Sequence, residues 1–357
     1  EGLNLDVCTG GELAVALRAE FPPARIGLHG NNKSVSELRR ALEVGVGRIV
    51  IDSVEEIDRL AALTAELDVE APVMVRVTAG VEAHTHEYIS TSHEDQKFGF
   101  SISDGSALDA VRRVVSAPGL RFLGLHSHIG SQIFVTDGFE VAARRVLRLH
   151  AQIADELGVT APELDLGGGF GIAYTTQDDP STPEDLARGL TKIIDDECAA
   201  AGLEVPRLSI EPGRAIAGPS TFTLYEVGTA KVVGLDAGAS RRYVSVDGGM
   251  SDNIRPALYS AAYSCTLASR HSGATPVLSR VVGKHCESGD IVVKDEYLPG
   301  DVQAGDLLAV PGTGAYCRSL ASNYNHVPRA AVVAVRDGEA RLIVRRETEH
   351  DLLRLEL

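Results

Sequence analysis

Two hydrophobic rhythms succeed one another along the chain. In the first part, short apolar runs rich in β-branched residues recur at 3–7, 25–29, 48–52, 73–78, 122–126, 163–166 and 207–211. Between them, at 11–20, 34–46, 54–67, 107–116, 139–157 and 183–201, apolar residues return every three or four positions, which is the pattern of amphipathic helices. Start signals accompany several of these: Ser34 is followed three residues later by Glu37, and Thr182-Pro183-Glu184 opens another. Strands alternating with helices predict a parallel sheet covered by helices, and a (β/α)8 TIM-type barrel is the expected form. Seven strands are counted where such a barrel closes with eight. Glu1 also opens the chain without an initiator methionine and almost inside a strand, so the expectation is a first strand lying ahead of it.

Beyond residue 227 the helical rhythm gives way to successive strands at 242–246, 279–282, 290–293, 307–310, 330–335 and 340–345, led by one at 221–227. Asp236-Ala237-Gly238, Pro299-Gly300-Asp301 and Asp337-Gly338 mark turns between them. A mainly antiparallel β domain is therefore expected over 228–357, after a barrel domain over 1–227.

Composition narrows the function. Hydrophobic residues make up 44% and charged residues 24%, ordinary values for a globular chain. With 34 basic against 50 acidic residues, the net charge of -16 argues against nucleic acid or an anionic membrane as partner. An anionic ligand must then be held by a few placed cations and backbone amides. No apolar run is long enough to span a bilayer, and a soluble, cytoplasmic protein is expected. The five cysteines, Cys8, Cys198, Cys265, Cys286 and Cys317, show neither CxxC spacing nor an even count, so no disulfide framework or zinc ribbon is indicated.

Polar residues crowd the predicted strand ends, where a barrel of this kind carries its chemistry. They include Asp6, His29, Asp52, Arg76, His126, His128, Asp165 and Glu211. The run Gly167-Gly168-Gly169 follows a strand directly, and lets the backbone approach an anion or simply turn. Glu211, held by a Pro-Gly turn, suits either a catalytic carboxylate or an ion pair with Arg214. His128 is either structural or a surface for a ligand to lie against. The 79–100 segment, with His84, His86 and His93, is long for a strand–helix loop and reads as a lid or partner surface. Its spacing matches no recurring ligand set, and no metal site is expected. In the second domain, Arg255 stands near Tyr259, Cys286 beside Glu287, and Tyr316 in a small-residue loop.

Taken together these segments resemble the fold-type III pyridoxal-phosphate decarboxylases, most closely the branch acting on diaminopimelate. The resemblance rests on DVCTGGEL from Asp6, HGNNKS from His29, HEDQKFG from His93, HSHIGSQI from His126 and DLGGGFGI from Asp165. It continues through EPGRAI from Glu211, DGGMSDNIRPALY from Asp247, CESGD from Cys286 and GAYC from Gly314. It implies a decarboxylase that converts meso-2,6-diaminopimelate into L-lysine and carbon dioxide with pyridoxal 5'-phosphate, as the last step of lysine biosynthesis.

The resemblance also assigns roles. Gly167, Gly168, Gly169 and Ser131 would hold the cofactor phosphate, with Tyr316 reaching it from the second domain. His128 would stack on the pyridine ring, and Glu211 would keep the ring nitrogen protonated. Arg214, Arg255 and Tyr259, with Tyr316, would hold the substrate's distal carboxylate, and Glu287 its distal ammonium. Cys286 would help return a proton to the substrate carbon. Cys286 and Glu287 would come from the second subunit of a homodimer with shared active sites. One feature departs from the family: its Schiff-base lysine stands on the first barrel strand in a Tyr-Ala-x-Lys-Ala segment, and no such segment occurs here. Lys33 and Lys97 match other family positions. The missing strand and the missing lysine point to the same expectation, an amino-terminally truncated chain. A non-catalytic homologue and a decarboxylase of another amino acid are the alternatives.

Overall fold

A computed structural model describes residues 2–80 and 97–357. His84, His86 and His93 lie outside the described residues. Contacts divide the chain into two units, Glu1–Gly171 with Pro180–Pro212, and Ile172–Asp179 with Gly213–Leu357.

The strands of the first unit are β1 (Leu5–Val7), β2 (Ile26–Leu28), β3 (Arg48–Ile51), β4 (Ala71–Thr78), β5 (Phe100–Ser101), β6 (Leu120–His126), β7 (Glu163–Gly168) and β8 (Arg207–Glu211). All pair in parallel in the order β1-β2-β3-β4-β6-β7-β8, with the short β5 added to β4. Helices α1 (Gly10–Arg18), α2 (Val35–Val44), α3 (Val54–Leu67), α4 (Ser106–Ser116), α5 (Asp137–Leu157) and α6 (Pro183–Ala201) connect them. The expected strands and helices recur here within two residues at each end. The sequence pattern has no counterpart for β5, whose two residues are too few to show a period.

Local chemistry explains the helix starts. The Ser34 hydroxyl accepts the Glu37 N–H while the Glu37 carboxylate accepts the Ser34 N–H at 2.9 Å, a capping box that contributes about 1 kcal/mol. Leu13, Leu38, Ile57, Leu60, Val111 and Ile194 on the helices are buried, as are Ile26, Ile49, Val73, Leu125 and Leu164 on the strands. Each such side chain contributes about 1.5–3 kcal/mol of burial.

The sheet curls on itself. Arg48 on β3 lies 3.5 Å from both Asp165 on β7 and Ser209 on β8, and His29, just after β2, lies 3.8 Å from Glu211 on β8. These contacts span the interior of a barrel-like sheet, where Val50, Met74 and Leu123 form a small apolar cluster.

The second unit carries a six-stranded sheet built from β9 (Phe222–Gly234), β10 (Ser240–Val246), β11 (Thr266–Leu267), β12 (Pro276–Val282), β13 (Ile291–Pro299) and β14 (Leu307–Pro311). Their order is β11-β14-β9-β10-β12-β13, antiparallel except where β10 meets β12. Tyr225, Val244, Val281, Val293 and Leu308 are buried in its core. A separate hairpin joins β15 (Val332–Arg336) to β16 (Glu339–Val344). The expected boundary at 227/228 falls inside β9, which stays paired with β10 as far as Gly234; contacts divide the chain at Pro212/Gly213 instead. No helix among the described residues is long and apolar enough to cross a membrane.

Candidate active site

Glu211 closes β8 and stands in register with Gly168 at the end of β7. Its Oε1 lies 2.9 Å from His126 Nε2 at the end of β6. A carboxylate oxygen accepts, so His126 donates through Nε2. Its Nδ1 is buried and finds no partner among the described residues. His29 presents Nδ1 to the same oxygen at 3.8 Å, and its Nε2 lies 3.2 Å from Asp6 Oδ1. Electrostatics follow from these contacts. Burial holds His126 well below the ordinary imidazole range. For His29 burial acts in the same sense, but the Asp6 hydrogen bond and the Glu211 charge outweigh it and raise its pKa. Burial would raise Asp6, yet the bond from His29 brings it below the usual carboxylate range. Asp165, deeply buried and facing Glu211, is raised.

His128 sits two residues past His126. Its Nδ1 accepts the Gly168 N–H at 3.1 Å, so that nitrogen carries no proton. Burial pushes its pKa down to about 4, which keeps the ring neutral at neutral pH. The glycine run is required by space. Gly167 at φ 70° and Gly169 at φ 108° occupy the left-handed region, and a Cβ at 167, 168 or 169 would strike a carbonyl oxygen of Ser127, Glu211 or Gly130 respectively. The amides are partly committed: Gly167 N–H is taken by Asp165 and Gly168 N–H by His128. What glycine permits at 167 and 168 is close packing of the run against the Ser127 and Glu211 carbonyls. Ser131 follows His128 in a turn tied to the run by the Ile133 N–H, which donates to the Gly169 carbonyl at 2.8 Å.

Lys33 lies beside this cluster in sequence but is engaged elsewhere. Its ammonium donates to Gly30 O at 2.7 Å, Val50 O at 2.6 Å and Glu56 Oε1 at 2.7 Å, which uses all three protons. It is a buried structural clamp.

A second cluster belongs to the other unit. Helices α7 (Gly213–Ala217) and α8 (Arg255–Tyr259) each contribute a buried arginine, Arg214 and Arg255. Both donate to the Tyr174 hydroxyl, at 2.5 Å and 2.9 Å. Their guanidinium carbons stand 4.7 Å and 5.3 Å from the centre of the Tyr316 ring, and that of Arg255 lies 6.0 Å from Tyr259. No carboxylate pairs with Arg255 among the described residues. Tyr316 holds φ 67°, a conformation unusual for a side-chain-bearing residue, and its ring is 46% exposed.

Cys286 and Glu287 are exposed on a loop of the second unit. The loop is anchored from both sides. Asp290 accepts the Met250 and His285 N–H groups, while the His285 ring bridges Ser251 and Asn325 at 2.9 and 2.8 Å. The Tyr324 hydroxyl donates to the Glu287 carboxylate.

Comparison with known proteins agrees with this geometry. A family described as "Pyridoxal-dependent decarboxylase, pyridoxal binding domain" matches residues 1–218, and its partner description, "Pyridoxal-dependent decarboxylase, C-terminal sheet domain", matches residues 126–314. The diaminopimelate decarboxylase of Mycobacterium bovis is 61% identical over 361 residues, covering 100% of this chain and 81% of that protein. The chain belongs to the diaminopimelate decarboxylase family. Another member, from Bacillus subtilis, is 46% identical over 357 residues and is covered to 80%. The crystal structure of the Helicobacter pylori diaminopimelate decarboxylase, complexed with L-lysine, superposes with a TM-score of 0.88 at 31% identity, covering 99% of this chain and 84% of that one.

The residues that the family resemblance singles out therefore fall into three groups. His128, Ser131, Gly167, Gly168, Gly169 and Glu211 meet at the strand ends of the first unit. Arg214, Arg255, Tyr259 and Tyr316 meet in the second, and Cys286 with Glu287 forms a loop of its own there. Tyr174, on which both arginines converge, escaped the sequence reading. Its signal was slight, a tyrosine shortly after the glycine run, in a stretch whose contacts are with the second unit.

Proposed function

We propose that this protein removes one carboxyl group from meso-2,6-diaminopimelate, giving L-lysine and carbon dioxide, with pyridoxal 5'-phosphate as cofactor. The observation that carries the substrate choice is the pair Arg214 and Arg255 around Tyr174. Two buried guanidiniums suit a bidentate carboxylate. Diaminopimelate carries a carboxylate at its distal end, whereas an ornithine-type substrate carries only an ammonium there.

The first unit fits the cofactor. A carboxylate with a hydrogen-bonded oxygen, a neutral imidazole and three side-chain-free positions stand together at the strand ends. When bound, pyridoxal phosphate supplies a ring that takes up the electron pair left as carbon dioxide departs. Glu211 holds a proton at the ring nitrogen, and its negative charge stabilises the cationic ring. His128 would face the cofactor ring, and its neutral imidazole would add no charge there. Gly167, Gly168 and Gly169 bring the backbone close to the phosphate, and Ser131 and Tyr316 offer hydroxyls to it. Arg214, Arg255, Tyr259 and Tyr316 hold the distal carboxylate, and Glu287 the distal ammonium. Cys286 returns a proton to the substrate carbon. Cys286 and Glu287 serve the site of a second copy, so the working species is a homodimer, located in the cytoplasm.

The test is an assay of the protein joined, ahead of Glu1, to a segment bearing the family's Schiff-base lysine and loaded with pyridoxal phosphate, offered meso-diaminopimelate, L-ornithine and L-lysine in parallel. Carbon dioxide and L-lysine in equal amounts from diaminopimelate alone is the expected result. Turnover of ornithine in preference to diaminopimelate overturns the substrate choice, and no turnover of any of the three leaves a non-catalytic homologue.

A further inference from the structure

Two histidines and an aspartate at the strand ends of the first unit, His126, His29 and Asp6, are given no role in the function proposed above. His126 is 1% exposed. Its Nδ1 is buried and without a partner among the described residues, a cost that packing alone does not impose. Its other nitrogen, Nε2, is committed to Glu211 Oε1 at 2.9 Å. His29 approaches that same oxygen at 3.8 Å and is backed by Asp6 at 3.2 Å. The rings of His29 and His126 meet edge to face at 5.2 Å, so each limits the rotation of the other.

We infer that Asp6, His29 and His126 form a relay of positioning residues that fixes the orientation and the charge of the Glu211 carboxylate. The inference rests on the reading of Glu211 as partner of the cofactor's ring nitrogen. His126 occupies Oε1, with His29 beside it at 3.8 Å, which leaves Oε2 for the ring nitrogen. Hydrogen bonds to a carboxylate favour its ionised form, and so does a cation beside it. Asp6 raises the pKa of His29, which stands beside the Glu211 carboxylate, and His126 donates to that carboxylate. The other charged groups facing Glu211 are Arg76 from β4 and Asp165 from β7, of opposite sign, together with His128 beyond β6. Arg48 from β3 faces Asp6 and Asp165. Removing one histidine therefore tips a balanced set of charges.

Four variants loaded with pyridoxal phosphate test the relay: H126L, H126Q, D6N and E211Q. The readouts are the pH midpoint of the bound cofactor's absorbance, its dissociation constant from fluorescence quenching, and the melting temperature as a check of folding. H126L is expected to raise the midpoint by about one pH unit and weaken cofactor binding about tenfold, the range for a hydrogen bond to a charged group. H126Q, which keeps an N–H donor, is expected to recover most of both. D6N reaches neither cofactor nor Glu211, yet it should move the midpoint in the same direction by a few tenths of a unit. Should H126L fail to fold, D6N and H126Q still decide the matter. A midpoint unmoved in D6N, or H126Q behaving as badly as a donor-free variant, overturns the relay. E211Q separates the two levels of the argument: the absorbance transition should vanish, and its survival would mean that Glu211 does not face the ring nitrogen at all.

Discussion

At the barrel strand ends one carboxylate, Glu211, is approached by two imidazoles, whereas in the second unit one phenol, Tyr174, is approached by two guanidiniums. The first arrangement offers a negative centre to a cationic partner. The second offers positive charge and aromatic faces to an anionic one. Their energetics differ as well. Histidines near Glu211 respond to their neighbours, and burial lowers the pKa of His126 while Asp6 raises that of His29. Arginine keeps its proton throughout, so Arg214 and Arg255 form a fixed positive pocket. A protein that must tune a proton in one place and read a carboxylate in another has reason to use these different side chains.

The largest expected effect lies in the second unit. R255A should cut kcat/KM for diaminopimelate by about 10²-fold or more, since a buried, hydrogen-bonded charge is lost from the carboxylate site. R255K should recover only part, because an ammonium lacks the planar fork. Full activity in R255A would break the contrast between the units, for the guanidinium pair would then have no substrate to read.

Next comes a test of space at the barrel end. G168A drives a methyl group into the Glu211 carbonyl, and should lower stability by about 1–3 kcal/mol, the usual cost of overpacking. A denaturant titration against the wild type measures it. The neighbouring Gly213, whose Cβ would meet nothing, is the control: G213A should be near neutral in stability.

A smaller effect is expected from pH. His150 on α5 is buried, its Nε2 has no partner among the described residues, and burial holds it at about 4 instead of 6.5. Between those values the unfolded chain binds the proton that the folded chain refuses. Stability at this residue is therefore full above pH 6.5 and falls on acidification at about 1.4 kcal/mol per unit until pH 4. H150L should flatten that part of the stability–pH curve and leave activity unchanged. An identical acid slope in H150L and wild type would refute the assignment. His128 titrates in the same window, so a residual slope is expected.

The smallest effect belongs to the Glu287 loop. Y324F removes the hydroxyl that donates to an exposed carboxylate, and exposed contacts of this kind contribute about 0–1 kcal/mol. KM for diaminopimelate should rise about twofold to fivefold with kcat little changed. A fall in kcat alone would shift Tyr324 from holding the loop to the chemistry.

Much of the first unit was legible in the sequence because its signals are local. The period of apolar residues, Ser34 with Glu37, and polar residues at strand ends fix βα units and the face that carries chemistry. The second unit was less legible. Strand β9 runs seven residues past the expected end at 227, through the polar positions Thr229 and Lys231, because its pairing with β10 extends it. Propensity does not see a partner strand.

The sequence by itself determined the secondary-structure rhythm, the family motifs, and the residue types able to hold a phosphate, a ring nitrogen and a distal carboxylate. Only the tertiary structure decided which of them meet. His126 and Glu211 are 85 positions apart and Arg255 and Tyr174 are 81 apart, and no local pattern couples such distant residues. The same holds for Lys33, whose amine is held by Glu56 and the carbonyls of Gly30 and Val50, partners no local pattern shows. Periodicity is written within a turn or a strand, whereas contacts depend on how the whole chain closes, and that closure brings histidines to Glu211 and arginines to Tyr174.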